Sequence, residues 1–123
     1  MPADLSSEVR VPSHLEEQFA AQLDAYGITY DREQMLIPGR RFRFDFVIPQ
    51  AGLVCEIEGG TWSGGRHTRG SGFRKDCEKY NLAVEHGYAV LRYTSDMVKN
   101  GLAAEQVRRY LTNTCAETQP EAL

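Results

Sequence analysis

Glu56 and Glu58 stand two positions apart in the run CEIEGG. On an extended strand alternate side chains point the same way, so these two carboxylates share a face. A third acid precedes them in RRFRFDFVIP. There the alternation puts Phe42, Phe44, Phe46 and Ile48 on one side and Arg41, Arg43, Asp45 and Val47 on the other. PQAG reads as a turn, which makes the two runs a hairpin and brings Asp45 toward Glu56, with the register left open. Carboxylates that converge in a partly dry site repel one another. A hard divalent cation such as Mg²⁺ resolves this, because it takes oxygen ligands from one or two carboxylates and completes its shell with water or phosphate. Such an ion activates water and polarises a phosphodiester. The plainer alternative is a solvated sheet face on which these acids pair with Arg41 and Arg43.

Other elements must position these acids. Ser13 to Glu16, SHLE, is a capping box, and Leu15, Phe19, Leu23 and Tyr26 follow at helical spacing until Gly27. Glu16 lies about 60° from the centre of that apolar stripe, at roughly 100° per residue, and can reach the core edge; Glu17 points away. Glu16 also has an ordinary role as the reciprocal partner of the cap. Residues 59–72 carry six glycines and no period, a long loop of the kind that is functional or disordered. Phe73, Cys77, Tyr80 and Val84 mark a second helix with its apolar stripe toward the core. YAVLRY is a short central strand, and a last helical stretch covers about 95–111 with a break at KNG. Residues 1–12 read as an arm, 13–112 as the domain and 113–123 as a polar tail. The expected order is α-β-β-β-α-β-α in a single α/β domain, with a mixed central sheet flanked by helices.

The glycine loop and the helix after it hold Arg66, His67, Arg69, Arg74 and Lys75 with no acid among them, a set suited to a phosphate backbone. Trp62 can stack on a base or wedge between bases, or else plug the core edge. His67 can serve as an acid or a ligand, or be merely solvated. GGTWSGG lacks the G-K-(S/T) ending of a nucleotide phosphate loop, so no nucleotide cofactor is expected. Lys75 and Lys79 are one turn apart and fall far from the apolar stripe, which suits phosphate contacts better than the catalytic centre. Asp76 falls nearer the buried face, where it could tether an arginine such as Arg92.

At 123 residues the chain suffices for one core. The net charge of −3 argues against nucleic-acid binding by the whole surface and leaves room for a local basic patch. Three cysteines without a C-x-x-C pair argue against a disulfide framework or a zinc knuckle; Cys55 and Cys77 read as small buried residues. No apolar run is long enough for a membrane span and no signal peptide is evident, so the cytoplasm is the expected compartment.

FRFDF, EIEGG, DCEK (Asp76 and Lys79) and GYAVLRYT, in this order behind an acidic helix, resemble the PD-(D/E)XK nuclease superfamily. More closely they resemble the short phage and prophage proteins related to very-short-patch repair endonucleases. The resemblance spans about residues 13–100 and implies a restriction-endonuclease-like core acting on DNA in a bacterial host. It implies Asp45 and Glu56 as ligands of one or two Mg²⁺ ions, with Mn²⁺ as a substitute. The Ile57 carbonyl would be a third ligand, and Glu16 would hold a water or a second ion. Glu58 departs from the pattern, because it stands where the superfamily has a lysine that assists the attacking water. A glutamate there can accept a proton or bind a second metal.

The principal expectation is therefore a metal-dependent DNA endonuclease. It would use Glu16, Asp45, Glu56 and Glu58 for chemistry, and Trp62, Arg66, His67, Arg69, Arg74, Lys75 and Lys79 for DNA. A monomer would nick, and a homodimer would cut both strands. The rival expectations are a DNA-binding protein that kept the fold without the chemistry, and a phage-derived regulatory or assembly protein.

Overall fold

The structure, a computed structural model, describes the backbone of residues 13–58 and 71–117, and the side chains of all of these but 71 and 114–117. Ser13 starts the first helix, α1 (His14–Ala25): its Oγ accepts a hydrogen bond from the Glu16 N–H at 3.1 Å. Gly27, at φ +74°, ends it, and the Ile28 N–H returns to the Leu23 carbonyl. Phe19, Ala20 and Leu23 form its buried face.

Strands β1 (Asp31–Gln34), β2 (Phe44–Ile48) and β3 (Leu53–Glu58) follow. The chain then passes through helix α2 (Ser71–Glu85) to β4 (Ala89–Thr94). Two helices close the chain, α3 (Ser95–Lys99) and α4 (Leu102–Glu117), parted at Gly101 with φ +82°. The sheet order is β1-β2-β3-β4. The first two pairings are antiparallel and the third is parallel, as the crossover through α2 requires. The β2–β3 connection is a 3₁₀ turn, Pro49–Ala51, closed by Gly52 at φ +59°. The Gly52 carbonyl accepts from the Ala89 N–H at 2.8 Å, so this turn also anchors the start of β4.

The sheet is covered on both faces. Phe19 and Leu23 of α1, Val98 of α3 and Val107 of α4 pack on Phe46, Ile48, Leu53 and Cys55. Phe19 and Phe46 meet edge to face at 4.9 Å. Ala83, Tyr80 and Leu82 of α2 cover the other face, on Phe44, Val47 and Val54. The α/β architecture and element order agree with expectation, and Val54 takes the face opposite Leu53 and Cys55 as alternation predicts.

Three local expectations do not hold. Phe44 packs with Val47 rather than with Phe46 and Ile48, so the alternation breaks at Asp45. The last helix runs to Glu117, past the expected helical stretch of about 95–111. The largest difference is the rotation of α2. Phe73 and Val84 are 56% and 60% exposed, and Cys77 is exposed as well. The side that meets the sheet carries Asp76, Lys79, Tyr80 and Ala83 instead. These stand at i, i+3, i+4 and i+7, a full helical face with two charges in it.

Candidate active site

The β2–β3 ladder stops at the pair Phe46 and Cys55. One step further the same register sets Asp45 opposite Glu56, and there the side chains take over the backbone's hydrogen bonding. The Asp45 N–H donates to Glu56 Oε2 at 2.8 Å, and the Ile57 N–H donates to Asp45 Oδ2 at 2.9 Å. Each carboxylate satisfies an amide that the ending ladder leaves over. The register left open by the sequence is thus the one that joins the two acids.

On one side of Asp45 lie two further acids. Glu16 of α1, Glu33 of β1 and Asp45 each offer a carboxylate oxygen, and all three oxygens fall within 4.8 Å of one another. Glu16 is only 3% exposed, with Arg32 Nη2 at 3.9 Å. Glu17, turned outward, takes the closer bond from Arg32 at 3.0 Å. Sequence reasoning missed Glu33. It has φ +55°, the left-handed region that a non-glycine residue seldom adopts, and it interrupts the β1–β2 pairing between Arg32–Phe46 and Gln34–Phe44. Its strand is a short polar edge with no period to mark it. The one available signal was an acid in the strand hydrogen-bonded to that of Asp45.

On the other side lies Glu56, 5% exposed. Its Oε1 accepts from Lys79 Nζ at 2.9 Å and from the Tyr80 hydroxyl at 3.2 Å. Burial, and then the charge of Asp45, push its carboxyl up to about 7 against the pull of Lys79. The Lys79 ammonium also sits 4.8 Å from the centre of the Phe44 ring. The expectation that Lys79 stands away from the carboxylates is therefore corrected. It lies far from the apolar stripe on the helical wheel, but that stripe, Phe73, Cys77 and Val84, is not the buried side of α2.

Glu58 has other partners. Its Oε2 accepts from Arg92 Nε at 2.8 Å and from the Tyr80 hydroxyl at 3.3 Å, and the Arg92 guanidinium stacks over the Tyr80 ring at 4.4 Å. A tether of Arg92 by Asp76 is not found: Arg92 is held by Glu58, and the Asp76 charge acts on it more weakly. Glu58 stands outside the trio around Asp45 and anchors the Tyr80–Arg92 stack beside Glu56. Arg74 and Lys75 are exposed on α2. Trp62, Arg66, His67 and Arg69 lie outside the described residues.

All the ligand atoms gathered here are carboxylate oxygens, the donor set of a hard cation rather than of a soft or redox metal. A buried carboxylate pair with one ammonium against it can hold such an ion and present a positive charge to an anionic substrate.

No family model matches the chain, and no curated protein matches it. Among solved structures, the catalytic domain of the homing endonuclease I-Bth0305I is similar, with a TM-score of 0.64 at 18% identity. The match covers 83% of this chain and 97% of that one. The likeness is one of fold, an α/β domain with a four-stranded mixed sheet flanked by helices.

Proposed function

We propose that this protein is a metal-dependent DNA endonuclease that hydrolyses a phosphodiester bond. One observation carries the reading: Asp45 stands between the Glu16–Glu33 pair and a Glu56 that bears Lys79. The similarity to the catalytic domain of a homing endonuclease supports it. Asp45 with Glu16 and Glu33 forms one oxygen set, and Glu56 and the Ile57 carbonyl would supply further oxygens to that ion or to a second, which suits one or two Mg²⁺ ions, or Mn²⁺ in their place. When bound, such an ion polarises the phosphodiester and makes a water more acidic.

The chain's own groups have distinct roles. Glu16, nearly buried beside Asp45, accepts a hydrogen bond from the attacking water and orients it. Lys79 supplies from α2 the positive charge that the motif lysine would supply from position 58, and steadies the charge that develops on the phosphate. Glu58 positions Tyr80 and Arg92, which brace Glu56. A monomer with one such site nicks, and a symmetric dimer cuts both strands. A phage or prophage enzyme related to very-short-patch repair, acting in the bacterial cytoplasm on a nicked, mismatched or branched DNA, fits this reading.

A second reading has its own observation. Lys79 and Arg92 already neutralise Glu56 and Glu58, so the fold tolerates its acids with no ion, as a DNA-binding protein without cleavage requires. Labelled duplex, nicked, mismatched and four-way DNAs, incubated with Mg²⁺, Mn²⁺ or chelator, separate the two. Metal-dependent cutting that disappears in Asp45→Asn and Glu56→Gln supports the nuclease. Binding in chelator, with no cutting of any form by the wild type, replaces it with the binding protein.

A further inference from the structure

Two depressions of about 370 and 420 Å³ open along the surface from the candidate site. The first begins at Asp45 and Lys79 and is walled by Arg41 and Arg43. The second continues past Gly39 and Arg40 to Lys75 on α2. Arg41 lines both, so the two adjoin at its side chain, and together they make a trough between the β1–β2 loop and α2. Its cations are not spent alike. Arg43 is 3.6 Å from Glu33, and Arg40 is bound to Glu78 at 2.9 Å at the far end. Arg41 and Lys75 are exposed and make no ion pair among the described residues. In a chain of net charge −3, two cations without an ion pair among the described residues line a groove that leads out of the acidic centre.

Accepting the nuclease reading above, we infer that this trough carries the strand to be cut, and that Arg41 and Lys75 hold the phosphates beside the scissile one. The spacing fits. Lys75 and Lys79 are four residues apart, about 6 Å along the helix axis. That is one to two nucleotide steps, at about 3.4 Å of duplex axis per phosphate of a strand. A strand whose scissile phosphate rests at Asp45 and Lys79 would then bring a neighbouring phosphate within reach of Lys75, with Arg41 lining both depressions along the way. These contacts position the substrate and read no bases.

The test is fluorescence anisotropy with a labelled duplex in chelator, from 50 to 200 mM KCl, for the wild type and for the Arg41→Gln/Lys75→Gln double variant. Both side chains are exposed, so the variant keeps the fold. Loss of two phosphate contacts should reduce the slope of log affinity against log salt by about 1.8. The wild type should then lose roughly twelvefold more affinity than the variant over that fourfold salt range. A neutral methylphosphonate placed one or two steps from the mapped cut should weaken the wild type and leave the double variant unaffected. An unchanged slope, with the wild type still cutting DNA, overturns the trough and leaves the nuclease reading standing. A wild type that neither binds nor cuts DNA brings down both.

Discussion

The ammonium of Lys79 lies 2.9 Å from Glu56 Oε1, and the two residues come from different layers of the fold, a crossover helix and a central strand. This pair neutralises a carboxylate that burial and Asp45 would otherwise leave at high energy. Replacing Lys79 by Met strands Glu56 in a site where it is 5% exposed. Breaking a buried pair from one side costs about 3–5 kcal/mol. Lys79→Met should lose stability of that order at pH 8 and much less at pH 5, where Glu56 can take up a proton. Urea denaturation at the two pH values measures the difference, and an equal loss at both would remove the ion pair from the account.

The same carboxyl makes the metal-free protein sensitive to pH. Glu56 is pushed up to about 7 from an ordinary value of 4.5. The folded state therefore holds this proton more tightly than the unfolded chain does. Its contribution to stability is complete below about 4.5 and is lost as pH rises through about 7. At about 1.4 kcal/mol per unit the loss is on the order of 3–4 kcal/mol. Thermal melts in chelator should fall across this window for the wild type and stay flat for Glu56→Gln. Mg²⁺ should recover the wild-type loss at pH 7.5.

Glu33 pairs a carboxylate of the acidic cluster with an unfavourable backbone. At φ +55° a side chain is strained, and such conformations cost on the order of 1–3 kcal/mol. Glycine relieves the strain but gives up entropy in the unfolded chain. Glu33→Gly should be as stable as the wild type or up to about 1 kcal/mol more so. Cleavage at limiting Mg²⁺ should fall at least tenfold and recover in part at high Mg²⁺. A variant that is both more stable and fully active would show that Glu33 does not serve the metal.

The acids also depend on the packing behind them. Phe46 is fully buried next to Asp45 and meets Phe19 edge to face, which joins β2 to the helix that carries Glu16. Phe46→Leu keeps most of the apolar volume and loses the ring contact, worth about 0.5–1.5 kcal/mol. Stability should drop modestly. Cleavage should drop further than that loss predicts, because Glu16 is no longer fixed against Asp45. Cleavage at a temperature where both forms are fully folded isolates the second effect.

Much of this arrangement was readable from residue order. Glu56 and Glu58 lie on a strand whose period is plain, Asp45 lies on a strand that is legible although its alternation breaks at that residue, and SHLE with its apolar stripe puts Glu16 at a helix edge. The rest required three dimensions. Lys79 was misplaced because the apolar residues of α2, Phe73, Cys77 and Val84, turn to the outside, while its sheet face mixes Asp76, Lys79, Tyr80 and Ala83. Periodicity reports where apolar residues cluster, and here the cluster is not the buried side. Glu33 was missed because a short polar edge strand has no pattern to read. The separate duties of Glu56 and Glu58 depend on Arg92, which is brought beside them only by the parallel pairing of β3 and β4.

The crossed bonds from the Asp45 amide to Glu56 and from the Ile57 amide to Asp45 have a consequence for descent. These two carboxylates close the end of a β-ladder whether or not the protein cuts anything. Hydrogen bonds to charged groups contribute roughly 1.5–3 kcal/mol each. A lineage that abandoned cleavage would still be held to Asp45 and Glu56 by the need to fold. Glu33 closes no such ladder and its backbone is strained, so it would be the first acid to drift. Among relatives of this chain, the acid that separates cutters from former cutters should be the one on the edge strand.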